Sequence, residues 1–147
     1  KDYLFRIIGD GGTKLLLQQK MEELQVENVE LINPVSRAEL LEYYHQSTFL
    51  FLHLNDLEAF KKVLPSKLFE YGVFCKPVIA GVGYAARFVE ENLPNHILFS
   101  PTNVDEFVDK LTRYKLVFEE RKSFKETFSR KKIMVNMAND ILKTVSI

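Results

Sequence analysis

A chain of 147 residues is long enough for one domain with a sizeable core, and its 46% hydrophobic and 27% charged content is that of an ordinary soluble globular protein. A formal net charge of zero gives no global reason to expect nucleic acid, and the single cysteine, Cys75, excludes an internal disulfide framework and fits a reducing compartment. No apolar run approaches the ~20 residues of a membrane span, and the chain opens without a methionine or signal-like segment, as a piece of a longer protein would. Tyr3 to Gly9 is a short β-rich run that ends in Gly9-Asp-Gly-Gly12, the expected strand and turn before a helix. Thr13 is positioned to cap that helix, with Leu15, Leu16, Leu17, Met21 and Leu24 on its buried side. Asn28 to Asn33 is a second strand, halted by Pro34. Ser36 and Glu39 then form a capping box ahead of a helix carrying Leu40, Leu41, Tyr43 and Tyr44. Thr48 to Leu54 is nearly continuous in apolar residues, as expected of a strand covered on both faces.

A polar loop, Asn55 to Lys62, leads to a helix expected from Pro65 to about Phe74. Pro77 to Ala80 is the fourth strand, and Cys75 beside it is expected to be packed rather than reactive. Gly81 and Gly83 punctuate the turn into a helix with Ala85, Ala86, Phe88 and Val89. His96 to Phe99 is a fifth strand. Pro101 with Thr102 or Asn103 begins a helix containing Val104, Phe107, Val108, Leu111 and Leu116. Ser129 caps a last helix with Met134, Met137, Ile141 and Val145 on one stripe. Residues 110–132 carry nine Lys/Arg against three Glu, which the pattern reads as a solvated helical face or as a surface toward anionic lipid or a second domain.

Strands alternating with helices mean βαβ units, a parallel sheet and right-handed crossovers. The expected fold class is therefore α/β, a doubly wound, Rossmann-like sheet of about five strands in a single domain over 1–147. Ligands of such sheets bind beyond the carboxyl ends of the strands. Here those ends are Gly9–Gly12, Asn33–Ser36, Asn55–Ser66 and Gly81–Tyr84, expected along one rim.

His45, His53 and His96 fall on different elements without zinc-type spacing, so a structural metal is not expected. His53 ends a strand and has the reach of the rim, although a satisfied core histidine is the commoner outcome. There is no Gly-x-Ser-x-Gly elbow, and Gly9-Asp-Gly-Gly12 matches neither the dinucleotide nor the P-loop glycine pattern. The stretch from Phe60 to Ala80 is more informative. Lys61 and Lys62 precede a helix start at Pro65 and Ser66, where free backbone N–H groups and a partial positive charge favour an anion. Ser66 and Lys67 offer donors to it. Glu70, one turn on, would repel phosphate and makes sense facing hydroxyls such as those of ribose. That is the layout of a nucleotide site. The alternative is a plain capped helix with Lys67 and Glu70 in solvent.

Phe60-Lys-Lys-Val-Leu-Pro-Ser-Lys-Leu-Phe-Glu-Tyr-Gly-x-x-x-Lys-Pro-Val-Ile-Ala80 resembles the donor-site signature of group 1 (family 4) retaining glycosyltransferases, closest to bacterial members of polysaccharide or O-antigen assembly. Ile7-Ile-Gly-Asp-Gly11, Asn28-Val-x-Leu-Ile32 and Ala85-Ala-x-x-Val89 with Glu90 and Glu91 match in the same order. The resemblance implies the C-terminal, nucleotide-sugar-binding domain of a two-domain GT-B enzyme. It places Glu70 on the ribose hydroxyls and Leu64, Pro65, Ser66 and Lys67 at the diphosphate. Val35, beside Pro34, falls against the base, and Gly9 and Gly11 fall in the donor-site loop. It implies no metal and no cofactor, the nucleotide sugar being substrate, with basic groups offsetting the leaving diphosphate. It also implies a UDP-linked donor, a saccharide or lipid-linked acceptor, an absent N-terminal domain, and a cytoplasmic location at the inner face of the membrane.

Two features depart from the family pattern. Many members carry a glutamate eight positions before Glu70, where this chain has Lys62, which adds charge near phosphate but accepts no hydrogen bond from a sugar. The family's first strand and helix, with their Arg/Lys pair, have no counterpart before Lys1, so the isolated chain is expected to transfer nothing. The rival readings are a nucleotide-sugar 2-epimerase-like enzyme, which needs acid/base carboxylates and histidines in its cleft, and a non-catalytic Rossmann-like interaction module.

Overall fold

Five short strands and seven α-helices make up the computed structural model, which describes residues 3–60 and 62–145. In chain order these are β1 (Phe5–Ile8), α1 (Lys14–Glu23), β2 (Val29–Ile32), α2 (Arg37–Gln46), β3 (Leu50–His53), α3 (Lys67–Gly72), β4 (Val78–Gly81), α4 (Ala86–Asn92), β5 (His96–Phe99), α5 (Val104–Arg113), α6 (Lys122–Thr127) and α7 (Arg130–Val145). A 3-10 turn, Glu58–Phe60, interrupts the loop after β3. Every strand pairing is parallel, as the βαβ alternation requires, and the five strands fall into two sheets. The chain correspondingly divides into two compact units, residues 1–46 and 47–147.

The first unit pairs β1 with β2, Phe5 opposite Val29 through Ile8 opposite Ile32. Gly9 follows β1 with φ +149°, a conformation that a side chain disfavours, so the glycine is needed there for the turn. The Ser36–Glu39 box forms as expected: the Ser36 N–H donates to Glu39 Oε2 at 2.9 Å and the Glu39 N–H to Ser36 Oγ at 3.2 Å. These bonds hold the Glu39 carboxyl below the usual carboxylate range. Helix α1 departs from expectation. Thr13 precedes it without a side-chain cap, and Leu15, Leu16 and Leu24 are exposed, Leu15 by 74%. Leu15, Leu16 and Leu17 are consecutive and so fan around the helix rather than lining one side, and no residue of α1 is buried.

The second unit is a three-stranded sheet in the order β3-β4-β5. The central strand β4 is buried along its whole length, so it and not β3 has both faces covered. β3 lies at the edge of this sheet and leaves Phe51 42% exposed. Phe51, Ile79 and Ile97 are in register, as are His53, Gly81 and Phe99, so these six share one face. On it Ile79, Ile97 and Phe99 pack with Leu111 of α5, and Phe49, Phe107 and Tyr114 close around them. Gly81 has a steric reason: a Cβ there would meet Phe99 Cζ at 2.5 Å and His53 Cδ2 at 2.7 Å. Elsewhere in the unit Leu68 of α3, Val78 of β4, and Val89 and Leu93 of and after α4 are fully buried.

Asn103 is the cap of α5, its Oδ1 accepting from the Glu106 N–H at 3.0 Å while Glu106 Oε2 accepts from the Ser100 N–H at 2.9 Å. Asn103→Ala removes one orphan-donor partner at that end, and we expect a loss of about 1 kcal/mol in a urea titration; a midpoint unchanged by the substitution would show the cap to be dispensable. Ser129 likewise caps α7, accepting from the Lys132 N–H at 3.3 Å. The stripe of Met134, Met137, Ile141 and Val145 on α7 is exposed throughout.

Candidate functional site

The loop after β3 delivers Leu64, Pro65 and Ser66 to the start of α3, which is shorter than its sequence pattern: it runs from Lys67 to Gly72 rather than from Pro65 to about Phe74. The Pro65 carbonyl accepts from the Leu68 N–H at 3.1 Å and the Ser66 carbonyl from the Phe69 N–H at 3.0 Å, which folds the chain directly into the helix. Ser66 has helical backbone angles, its hydroxyl makes no capping bond, and the residue is exposed. Lys62 and Leu64 are exposed and Pro65 is half-buried; Lys61 lies outside the described residues.

Lys67 and Glu70 are one turn apart on α3 and meet each other: Lys67 Nζ donates to Glu70 Oε2 at 3.1 Å, with the two side chains 37% and 35% exposed. The two groups expected on different parts of a ligand are thus neighbours on one helix face. Next to Glu70, Tyr71 is buried and held from two sides. Its hydroxyl donates to the Phe51 carbonyl of β3 at 3.1 Å, and its own carbonyl accepts from Arg121 at 3.1 Å.

His53, at the carboxyl end of β3, is exposed rather than a core histidine, with its ring beside those of Phe51 and Phe99 at centroid distances of 6.5 and 6.1 Å. Nε2 lies 2.8 Å from the Pro101 carbonyl. A carbonyl can only accept, so Nε2 carries the hydrogen, and Nδ1 is the acceptor of the neutral ring.

The remaining expected residues belong to the first unit. Gly9 and Gly11 follow the carboxyl end of β1 and Val35 follows that of β2. Because β1 and β2 are parallel neighbours, these two loops lie at the same end of that sheet. Lys14, from the first turn of α1, ties them together: its Nζ donates to Asn33 Oδ1 at 2.6 Å and stands 3.8 Å from Asp10 Oδ1. Pattern reading passed over Lys14, although a lysine two residues past a glycine turn at a helix start was a visible signal. Two shallow depressions, one beside Gln18, Met21 and Leu31, the other beside His96, Lys110 and Tyr114, contain none of the candidate residues.

Two expectations outside the site are corrected. Cys75 is exposed rather than packed, because it occupies the α3–β4 turn, where Val73 is exposed as well. The basic segment 110–132 is not one solvated helical face. It spans the end of α5, an extended stretch, α6 and the start of α7, and its Arg121 is 4% exposed. Burial pushes the Arg121 guanidinium below its ordinary value, and the nearby Glu119 opposes that. Lys110 and Arg113 pair with Glu106 and Asp109 at 2.7 Å each.

No helix among the described residues is long and apolar enough to cross a membrane. No curated protein and no solved structure matches the chain significantly. A family model described as glycosyl transferases group 1 matches residues 1–131, almost the whole chain and every element through the first residues of α7. With that match across the parallel α/β fold and the Pro65–Glu70 constellation, the chain belongs to the group 1 glycosyl transferases.

Proposed function

We propose that this chain binds a nucleotide-diphosphate sugar, UDP-linked, for retaining transfer to a saccharide or lipid-linked acceptor. The observation that carries the proposal is the Lys67–Glu70 pair, a cation and a carboxylate 3.1 Å apart on α3, after the loop that follows β3 in a group 1 glycosyl transferase. In the bound state Glu70 accepts from the two ribose hydroxyls, while Lys67, released from Glu70, and Lys62 face the diphosphate. The Ser66 hydroxyl, which caps nothing in the protein, is available to a phosphate oxygen.

The charge that develops on the leaving diphosphate has to be offset by groups already in place. The Leu68, Phe69 and Glu70 amides of α3 already donate to the Pro65 and Ser66 carbonyls, and a six-residue helix carries little dipole, so the lysines supply most of the positive charge. Val35 is assigned to the base, and Gly9 and Gly11 to backbone that approaches the donor closely. No metal or cofactor is assigned. Transfer to a lipid-linked acceptor would bring the chain near anionic headgroups at the inner face of a membrane, and the exposed Lys115, Arg130, Lys131 and Lys132 suit that position.

Calorimetric titration of the intact protein with UDP, GDP, ADP and their hexose conjugates tests the reading. Saturable binding of one nucleoside diphosphate series, UDP strongest, is expected; a folded protein that binds none of them would refute it.

A further inference from the structure

Arg121 is the one strongly buried cation among the described residues, and nothing in the donor-site reading uses it. Its five guanidinium N–H donors all find oxygen. Nη1 donates to the Tyr71 carbonyl at 3.1 Å and to the Phe74 carbonyl at 2.6 Å, Nη2 donates to the Lys76 carbonyl at 2.7 Å and to Asn95 Oδ1, and Nε donates to Asn95 Oδ1 at 3.1 Å. Asn95, itself buried, passes the connection on. Its Nδ2 donates to the Cys75 and Val117 carbonyls at 2.8 and 2.9 Å, and its backbone carbonyl accepts from the Val78 N–H at 3.1 Å. No carboxylate lies within ion-pair distance of Arg121 among the described residues. The cation is solvated entirely by fixed neutral oxygens.

Those oxygens belong to the segments that set where α3 sits. A helix leaves its last four carbonyls without intrahelical partners, and a guanidinium is well matched to them in charge and geometry. Tyr71 is the residue after Glu70, Phe74 closes the α3–β4 turn, and Lys76 and Asn95 stand just ahead of β4 and β5. Since the Tyr71 hydroxyl is bonded to β3, the helix is held to one strand by a side chain and to the other two through one planar group. Leu68 is fully buried and Phe69 rests against Phe88 and Phe128, and to this non-directional packing Arg121 adds directional bonds at the carboxyl end of the helix. Misplacing a substrate-contacting group by about 1 Å costs on the order of 10²-fold in rate.

We propose that Arg121 is a positioning residue for the donor site: from the carboxyl end of α3 it fixes the height and tilt of the short helix that carries Lys67 and Glu70. The proposal rests on the donor-site reading of α3. Arg121 touches no ligand itself. It acts by holding the Tyr71 and Phe74 carbonyls, and its planar fork is what lysine cannot reproduce.

The test uses the intact protein with Arg121→Gln and Arg121→Lys, and Leu111→Ala as a control that weakens the core on the α5 side of the sheet. Each is measured below its own melting transition for UDP-sugar affinity and for amide hydrogen exchange in residues 68–72 and, as an internal reference, 107–113. The expected result for both Arg121 variants is binding about tenfold weaker than in the control, with exchange accelerated in 68–72 and not in 107–113. Affinity equal to that of the control, or exchange accelerated equally in both segments, would overturn the proposal and leave Arg121 a general stabiliser. If Arg121→Gln does not fold, Arg121→Lys, which keeps the charge without the fork, decides the same comparison. If the wild-type protein binds no nucleotide, the donor-site reading falls, and the exchange comparison by itself decides whether Arg121 clamps α3.

Discussion

Replacing Glu70 with alanine is expected to weaken UDP-sugar binding by about 100-fold while leaving the melting temperature nearly unchanged. A carboxylate that accepts from two vicinal hydroxyls makes two charge-assisted hydrogen bonds, each worth about 1.5–3 kcal/mol net of the bonds to water that it replaces. A net loss of about 3 kcal/mol corresponds to roughly two powers of ten in affinity. The folding cost is smaller because the described ion-pair partner of Glu70 is Lys67, in a pair with both side chains about a third exposed. Such pairs contribute about 0–1 kcal/mol. Glu70→Gln keeps the shape and one acceptor but turns the other position into a donor, so an intermediate loss is expected. Lys67→Ala separates the roles. It should weaken binding of UDP and UDP-sugar alike and leave uridine binding nearly untouched, because its assignment is to the diphosphate. Equal affinity of wild type and Glu70→Ala for UDP-sugar would remove the ribose assignment.

Much of this arrangement was legible in the sequence because the signals were local. The strand His96–Phe99, the Ser36–Glu39 box, and the caps at Asn103 and Ser129 each depend on residues within a few positions of one another. Spacing in Pro65-Ser-Lys-x-x-Glu placed Lys67 and Glu70 on one helix face, where they are found. What sequence could not supply is what covers a face. The leucines of α1 are exposed, and Phe51 belongs to an apolar run but lies in an edge strand. Cys75 was assigned by the company it keeps in sequence, whereas the turn points it outward. Arg121 was hidden most completely. Its acceptors lie 26 to 50 positions away, and four of its five hydrogen bonds end on oxygens whose availability depends on where helix α3 stops and where Asn95 turns. A charged residue in a lysine-rich stretch carries no mark of that.

The glycine of the Glu-Tyr-Gly sequence is a case where the motif is visible but its reason is not, and it leads to the largest expected stability effect. Gly72 is the last residue of α3, it is buried, and its backbone angles do not require a glycine. Space does. A Cβ on Gly72 would collide with Cζ, Cε1 and Cδ1 of the Phe124 ring, closer than any van der Waals contact permits. Phe124, 5% exposed, has little room to yield: its centroid is 4.6 Å from that of Phe128, 6.3 Å from Phe88 and 6.5 Å from Phe69. Overpacking of this kind costs about 1–3 kcal/mol, and Gly72→Ala is expected at the upper end of that range. Phe124→Ala, which deletes the ring and leaves a cavity under α6, is expected to cost about 3–5 kcal/mol. The two losses should not add. With the ring gone, the new methyl group at position 72 occupies part of the cavity, and alanine in a helix is favoured over glycine by about 0.5–1 kcal/mol. Gly72→Ala should therefore be neutral or slightly stabilising in the Phe124→Ala background. The coupling energy from the four proteins, read by guanidinium denaturation, should reach about 2–4 kcal/mol, larger than most neighbouring pairs show. Additive losses would mean that the cost of the methyl group at position 72 does not come from the Phe124 ring. The same four proteins also report on the site, since Gly72 is two residues from Glu70. A helix pushed off Phe124 displaces the carboxylate, and Gly72→Ala by itself should weaken nucleotide binding where the double variant restores it.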